Sequence, residues 1–299
     1  MNKLRRRFIL FNIIIIGTVT VAIAALVYLG APSQMPVARL AGTIIIMLAL
    51  ILIGSILSSK IAVKPIQASW KRQLDFTADA SHELRTPLAV IQTNLELVMD
   101  SPDETVGSQL KWLNNIHIET ARMTKLVDDL LTLSRGDTGE KTLVYSAFSL
   151  NSVAEETAAL FETAAKQKSI DIQIAADGEI ELWADALRIK QLLGILVDNA
   201  VKYSDRPGRI QITLSKKDSA IQLIVSDSGK GIAPEHLSRI FDRFYRVEKQ
   251  ATDGFGLGLS IAEWIVKEHG GSIHADSIAG GGTRIIASFP LRSESANNA

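Results

Sequence analysis

Two long stretches without a charged side chain lie close together at the start of the chain. Phe8–Leu29 spans 22 residues and Leu40–Leu57 spans 18. As α-helices they would be about 33 Å and 27 Å long, close to the roughly 30 Å of a bilayer's hydrocarbon core. A signal peptide and a buried core helix are the alternatives, but the apolar part of a signal peptide is usually only about 7–15 residues long. We therefore expect two transmembrane helices, forming a membrane anchor over residues 1–60.

Basic residues flank this pair of runs on its two outer sides. Lys3–Arg7 precedes the first run and Lys60–Arg72 follows the second, whereas the loop Gly30–Arg39 holds one basic side chain. Because cytoplasmic loops carry the excess of Lys and Arg, both chain ends are predicted to be cytoplasmic. A ten-residue loop is too short to fold as an external ligand-binding domain. Any stimulus would then be detected within the lipid bilayer, or relayed by a membrane partner such as a transporter.

The remainder of the chain is acidic, although the formal net charge of the whole is zero. No Asp or Glu occurs before Asp75, and nine of the 32 basic residues precede it, which leaves 23 bases against 32 acids. A net charge of −9 on this part argues against a nucleic-acid partner, which needs a basic face. The chain has no cysteine, so it uses no disulfide, thiol nucleophile or thiolate metal site.

A helical hairpin is predicted next, over residues 69–138, after a short basic linker at 61–75. Apolar residues recur in steps of three and four along Ser69–Met99, and again in a second helix that ends near Arg135. Ser101 is the predicted N-cap of the second helix, with Pro102 at its first position. The two seams are Thr77, Ala80, Leu84, Pro87, Ile91, Leu95 and Val98, then Leu113, Ile116, Thr120, Met123, Val127 and Leu130. One hairpin cannot bury such a stripe alone, so we expect a homodimer with a four-helix bundle.

One histidine of the first helix, His82, lies outside this seam. It lies two residues from both Ala80 and Leu84, and two residues are about 200° of helix, so it is predicted to face solvent. Glu83 is beside it, and Thr86 follows one turn later.

From Thr142 to Arg292 the pattern changes to alternating strands and helices, followed by a predicted disordered tail at 293–299. We expect an α/β sandwich, with one mixed sheet and helices on one face. The predicted strands are 143–148, 170–175, 180–184, 209–215, 221–226, 272–277 and 283–289. The predicted helices are 150–167, 185–202, 234–240 and 257–269.

Four local motifs occur in this region in a fixed order. They are Leu192–Tyr203, Asp227–Ile232, Phe241–Arg246 and Asp253–Ser260. Together they resemble the N, first glycine, F and second glycine boxes of the ATPase superfamily shared by histidine kinases, heat-shock chaperones, gyrase and mismatch-repair ATPases. The resemblance implies that the mobile lid over the nucleotide is Ala233–Asp253.

The chemistry of these residue types agrees with a nucleotide site. A carboxylate at a strand end, Asp227, suits the adenine amino group, and glycines beside it let the backbone pass close to the base. A glycine-rich run that opens a helix offers free N–H groups to phosphate. Asn199 offers an oxygen to Mg²⁺. The resemblance assigns ATP binding to Asn199, Lys202, Tyr203, Asp227, Gly229, Gly231, Phe241, Phe244, Arg246, Gly254, Gly256, Gly258, Leu259 and Thr283.

The segment Phe76–Leu88, together with these boxes, resembles the sensor histidine kinases of bacterial two-component systems. The resemblance implies that His82 is the phosphoacceptor, that Glu83 is its general base, and that Thr86 positions a water for dephosphorylation of a response regulator. It implies location in the bacterial cytoplasmic membrane and a partner with a receiver-domain aspartate. One position departs from the family, since Ile195 stands where a second asparagine is usual. The alternatives are a chaperone-type ATPase and a non-catalytic or phosphatase-dominant membrane sensor.

Overall fold

The computed structural model describes residues 37–138, 143–217, 220–247, 254–277 and 279–291, together with positions 17, 18, 21 and 25. Side chains are described from residue 70 onwards, apart from 72 and 136–138, and at a few earlier positions. The chain divides into two compact units, residues 1–79 and 80–299. Except for those four positions, the predicted span at 8–29 lies outside the described residues, as does the predicted tail at 293–299.

The first helix, α1, runs over Val37–Met99. It therefore begins far before the predicted start at Ser69, and its backbone includes both the predicted linker at 61–75 and the predicted span at 40–57. Among the residues that the structure describes, no helix is both long enough and apolar enough to cross a membrane.

The second helix, α2, covers Val106–Thr138, so the predicted start at Pro102 was wrong. Residues 102–104 form a turn, and the N–H of Glu104 donates to the Ser101 carbonyl at 3.2 Å. The cap is Thr105, because its Oγ1 accepts from the N–H of Ser108 at 3.4 Å. A capping hydroxyl accepts from an N–H two or three residues later. Pro102 has no N–H, so its presence does not tell whether the helix begins after Ser101 or after Thr105.

Two buried amides join α1 to α2. Gln109 Nε2 donates to the carbonyls of Val98 at 3.2 Å and Ser101 at 2.8 Å. Asn115 Nδ2 donates to Asn94 Oδ1 at 3.1 Å. Gln109 thus bonds one carbonyl in the last turn of α1 and one in the turn that follows it. The sequence seams did not predict these amide contacts.

The predicted seam is partly covered within the single chain. Pro87 is buried, and Leu84, Ile91, Leu113 and Ile116 are half-buried. Leu95 remains 46% exposed and Val127 43% exposed. A hairpin that leaves such side chains in water has apolar area available for a second copy.

The rest of the chain is an α/β domain with two sheets rather than the single one expected. A five-stranded sheet has the order β2-β4-β5-β7-β6, in which β2 and β4 are parallel and the other neighbours are antiparallel. Two short strands, β1 and β3, pair separately. The strands are β1 Ser146–Ser149, β2 Ile170–Ala176, β3 Glu181–Ala184, β4 Gly208–Lys217, β5 Ala220–Asp227, β6 Ser272–Ser277 and β7 Thr283–Pro290.

Three amphipathic helices pack against the large sheet, with a fourth short one in the loop after β5. They are α3 Leu150–Gln167, α4 Ala186–Tyr203, α5 Pro234–Leu237 and α6 Gly258–Glu268. Along β4, alternate side chains such as Ile210, Ile212 and Leu214 are fully buried. That alternation shows that the helices cover one face of the sheet, as predicted.

A buried histidine links the start of α4 to the end of α6. His269, 3% exposed, accepts the N–H of Asp185 on Nε2 at 3.1 Å and donates from Nδ1 to the Ile265 carbonyl at 2.7 Å. Asp185 in turn caps α4, since its Oδ1 accepts from the N–H of Arg188 at 3.1 Å. The ring is therefore neutral and holds the two helices in one register.

We expect His269→Leu to lower the free energy of unfolding by about 1–3 kcal/mol, because the buried N–H of Asp185 would lose its acceptor. Urea denaturation of the full chain, followed by tryptophan fluorescence, measures this. The same substitution at the exposed His274 is the control and should change stability by less than about 0.5 kcal/mol. Equal stability of the two variants would show that the histidine bridge contributes nothing.

Candidate nucleotide-binding site

A cavity of about 740 Å³ lies in the unit formed by residues 80–299. Its walls come from α4, the end of β5, the loop after β5, the segment that opens α6, and one side of α2. Of the predicted ATP-binding residues, the lining includes Asn199, Lys202, Tyr203, Asp227, Gly231, Arg246, Gly254, Gly256, Gly258, Leu259 and Thr283. Gly229, Phe241 and Phe244 are not among the residues that line the cavity, and their assignment to ATP binding stays a prediction.

The carboxylate of Asp227 lines the cavity at the end of β5. Its Oδ1 accepts the N–H of Gly229 at 2.9 Å and that of Thr283 at 3.2 Å. Burial raises the pKa of Asp227, and these two hydrogen bonds oppose that rise. With Oδ1 fixed by two donors, Oδ2 is the oxygen left to accept a hydrogen bond from a ligand.

Gly229 supports Asp227 from behind instead of lining the cavity. A Cβ at this position would lie 2.1 Å from the Tyr203 carbonyl oxygen, so any side chain would push the loop away from α4. The same loop is held on its far side, where the N–H of Ile232 donates to Ser277 Oγ at 2.8 Å. The glycine is therefore needed for close backbone packing.

The N-terminus of α6 forms a second part of the wall. Leu257 is its N-cap and makes no side-chain capping bond, so the first N–H groups of the helix are not capped by that side chain. Gly256 has φ +71° and lies against the backbone of Phe244, whose N–H donates to the Gly256 carbonyl at 3.0 Å. The Phe244 backbone thus joins the lid to the turn that opens α6. Free N–H groups and the helix dipole make this wall suited to an anionic group.

One face of α4 contributes four side chains at intervals of three and four residues. They are Ile195, Asp198, Asn199 and Lys202, and all four line the cavity. Lys202 Nζ donates to Asp198 Oδ2 at 2.6 Å. Ile195 packs against the start of α6, since a Cβ on Gly258 would be 3.2 Å from its Cγ2.

The lid adds two side chains that bear on the cavity. Tyr245 lines it, and its hydroxyl lies 2.6 Å from His236 Nδ1. Arg246 also lines it, with a buried Nη2 atom that has no hydrogen-bond partner. A guanidinium nitrogen in that position is a donor for an anionic ligand. Residues 248–253 of the predicted lid lie outside the described residues.

A wall of the cavity that sequence reasoning missed comes from the hairpin. Ile118, Arg122, Lys125 and Asp129 of α2 line it, and the Arg122 guanidinium lies 5.6 Å from the centre of the Phe255 ring. Burial raises the pKa of Asp129 from 3.8 to about 6, a rise that Lys125 opposes. Their helical spacing, 118–122–125–129, is visible in the sequence, but nothing there shows which domain that face meets.

The predicted phosphoacceptor group lies on α1. His82 and Thr86 are exposed and Glu83 is half-buried, which confirms the predicted orientation of the histidine. None of the three is among the residues that line the cavity. The described chain therefore presents an accessible imidazole and a nucleotide-sized cavity as two separate sites.

We expect Asp227→Asn to lower the affinity for ATP by about 2 kcal/mol, or roughly thirtyfold. The asparagine oxygen would keep the bonds to Gly229 and Thr283, but its amide N–H₂ would face the adenine amino group, donor against donor. Titration of the full chain with a fluorescent ATP analogue measures the change. Asp205→Asn, which removes an exposed neighbouring charge, should leave the affinity within about twofold. Equal losses of ATP affinity in both variants would mean that the loss comes from the changed charge and not from adenine recognition.

Comparison with protein families identifies both parts of this arrangement. Residues 72–139 match the His Kinase A (phospho-acceptor) domain. Residues 184–293 match the family described as histidine kinase-, DNA gyrase B-, and HSP90-like ATPase. The first match contains His82 and the second contains every predicted ATP-binding residue.

Two curated relatives support the same family. The chain is 37% identical over 225 residues to the sensor protein CiaH of Streptococcus pneumoniae, which covers 74% of this chain and 50% of CiaH. It is 34% identical over 233 residues to the signal transduction histidine-protein kinase BaeS of Escherichia coli, covering 76% of this chain and 48% of BaeS. The chain thus spans about half the length of the curated relatives it matches.

Two solved structures have the same fold over most of the chain. The Acinetobacter baumannii histidine kinase AdeS superposes with a TM-score of 0.59 at 26% identity, over 71% of this chain and 98% of that one. The histidine kinase ThkA, in complex with the response regulator protein TrrA, superposes with a TM-score of 0.61 at 28% identity, over 76% of this chain and 66% of that one. A phosphoacceptor hairpin and an ATPase domain occur in this order on one chain, and the chain belongs to the sensor histidine kinase family of two-component systems.

Proposed function

We propose that this protein transfers the γ-phosphoryl group of ATP to His82 and then to an aspartate of a response regulator. The observation that carries the proposal is one chain with both an exposed helical histidine beside a carboxylate and a cavity lined by the doubly hydrogen-bonded Asp227. A chaperone-type ATPase would need only the second of these.

The cavity wall supports one orientation of ATP. Adenine would donate its amino group to Asp227, and the phosphates would point to the N-terminus of α6, which Leu257 leaves without a side-chain cap. Lys202 and Arg246, both in the lining, supply positive charge for the transferring group. Asn199 would hold Mg²⁺, which neutralises phosphate charge when bound. These residues fit a divalent cation only sparingly, because Ile195 has no donor atom.

The first chemical step is a phosphoryl transfer to nitrogen. A ring nitrogen of His82 attacks the γ-phosphorus, the bond from that phosphorus to the bridging oxygen breaks, and ADP leaves with the electron pair. Glu83, adjacent to His82 and half-buried, takes the imidazole proton. Because His82 is not part of the cavity wall, the step requires either movement of the ATPase domain or acceptance by the His82 of a second subunit.

The second step passes the phosphoryl group from the imidazole to a receiver-domain carboxylate. The solved complex of ThkA with TrrA supports a response regulator as the partner class. Thr86 is exposed one helical turn from His82, and we propose that its hydroxyl positions a water for hydrolysis of the phosphorylated regulator. A non-catalytic or phosphatase-dominant sensor of the same architecture is the alternative, and Ile195 is the feature that favours it.

Two further proposals concern the assembly. Leu95 and Val127, 46% and 43% exposed, support a homodimer in which two hairpins form a four-helix bundle. The two uncharged runs and their basic flanks support location in the bacterial cytoplasmic membrane, with spans at 8–29 and 40–57 and both ends cytoplasmic.

Incubation of the full chain in detergent micelles with γ-labelled ATP and Mg²⁺ tests the activity. We expect acid-labile, alkali-stable label on the protein and none on His82→Gln, because only the imidazole forms that bond. The matched control is His117→Gln, another exposed helix histidine of the hairpin, which should keep its label. Label that survives His82→Gln would refute the assignment. A dimer that binds ATP without any label would favour the non-catalytic alternative.

The absence of native cysteine allows a direct test of the membrane topology. Ser33→Cys, in the loop between the runs, should react with a membrane-impermeant maleimide added to intact cells. Ser295→Cys, near the other end, should react only after the cells are opened. Protection of residue 33 in intact cells would contradict the proposed orientation.

A further inference from the structure

The residue directly before the predicted cation ligand Asn199 is a carboxylate, Asp198. Along α4 the positions 195, 198, 199 and 202 share one face, because they are separated by three and four residues. All four side chains line the cavity. Asp198 is the only acidic residue within α4, so this face offers a single negative charge.

Ile195 leaves the usual second oxygen missing from this face. Its Cγ2 lies 3.2 Å from the place where a Cβ on Gly258 would be, so the side chain is packed against the first residue of α6. The Ile195 side chain therefore lies between α4 and the first turn of α6, and it has no atom that can bind a cation. A hard cation between Asn199 and phosphates needs oxygen ligands, and an anionic one above all.

Asp198 has an oxygen available for this purpose. Its Oδ2 accepts from Lys202 Nζ at 2.6 Å, and the two side chains are 31% and 24% exposed. Within the described residues, its Oδ1 accepts no hydrogen bond. The other two carboxylates of the wall are placed differently, since Asp227 is bonded to Gly229 and Thr283 and Asp129 comes from the hairpin.

Lys202 does not prevent such a role. An ammonium group has three N–H donors, so it bonds Asp198 with one and keeps two for phosphate. The pair also offsets the charge of the carboxylate when no cation is bound, which keeps a nearby triphosphate from being repelled.

We infer that Asp198 supplies the second protein oxygen for the divalent cation that enters with ATP, in place of the missing side chain at position 195. The inference rests on the proposed kinase function and adds a cation-positioning residue to it. It makes a double prediction, because an asparagine restored at position 195 should make Asp198 dispensable.

Binding of Mn²⁺ to the full chain in detergent, with a non-hydrolysable ATP analogue present, tests this without any turnover. Electron paramagnetic resonance of free Mn²⁺ gives the dissociation constant. We expect Asp198→Asn to weaken Mn²⁺ binding about tenfold or more. Asp205→Asn, an exposed carboxylate beyond the end of α4, is the control and should change it less than about twofold.

Nucleotide binding in EDTA distinguishes an effect of Asp198 on the cation from an effect on the Lys202 ammonium. We expect Asp198→Asn to bind the analogue as well as the wild type when no metal is present, which also shows that the variant is folded. We expect Ile195→Asn, combined with Asp198→Asn, to recover most of the lost Mn²⁺ affinity.

Two results would overturn the inference while leaving the kinase proposal intact. One is Mn²⁺ affinity unchanged by Asp198→Asn. The other is an equal loss of nucleotide affinity in EDTA with no recovery by Ile195→Asn, which would mean that Asp198 only orients Lys202. A wild-type chain that binds no nucleotide under any condition would overturn both proposals together.

Discussion

The neutral imidazole of His269 is the contact on which the geometry of the nucleotide site depends. It accepts from the backbone of Asp185 and donates to the carbonyl of Ile265. Asp185 begins the helix that carries Asn199, and Ile265 lies in the helix whose N-terminus faces the cavity. Each helix has an amphipathic face that would bury equally well at slightly different depths. The two hydrogen bonds of the buried ring are directional, so they fix one position of the two helices relative to each other. Van der Waals packing alone fixes that position less strictly.

Two parts of the cavity lining are built by different physical means. Around Asp227, a strand terminus, two backbone donors and the close approach of Gly229 to Tyr203 fix a carboxylate within tight tolerances. Elsewhere in the lining, the groups are a helix terminus, a lysine and an arginine, which act on charge at longer range. A rigid, shape-defined part suits recognition of a planar base, and an electrostatic part suits a group that must move during transfer.

Local sequence signals predicted most of the elements but not the contacts between distant ones. The helix Leu150–Gln167 and the strand Ser272–Ser277 have the predicted bounds, because period and caps are local properties. The separate pairing of β1 with β3 was missed, since it joins segments that are far apart in sequence. The start of α2 was misplaced because Ser101 and Thr105 both satisfy the capping pattern, and the choice depends on the turn held by Gln109.

The candidate site shows the same division. Asp227, Asn199 and the second glycine run were predicted from motifs and do line the cavity. Phe241 and Phe244, which the resemblance assigns to ATP binding, are not among the residues that line it. The hairpin side of the wall was not predictable, since the periodic face of α2 that supplies it has the same appearance as a bundle seam.

Because α2 and the ATPase domain both line the cavity, ligand binding is linked to the position of the hairpin. A ligand that enters the cavity touches Arg122 and its neighbours on α2 as well as the ATPase domain. If the ligand binds one arrangement of the hairpin more tightly than another, the hairpin must alter ligand affinity by the same factor. Under that condition, a ligand in the cavity would shift the position of α2, and a displacement of α2 would change the affinity for the ligand.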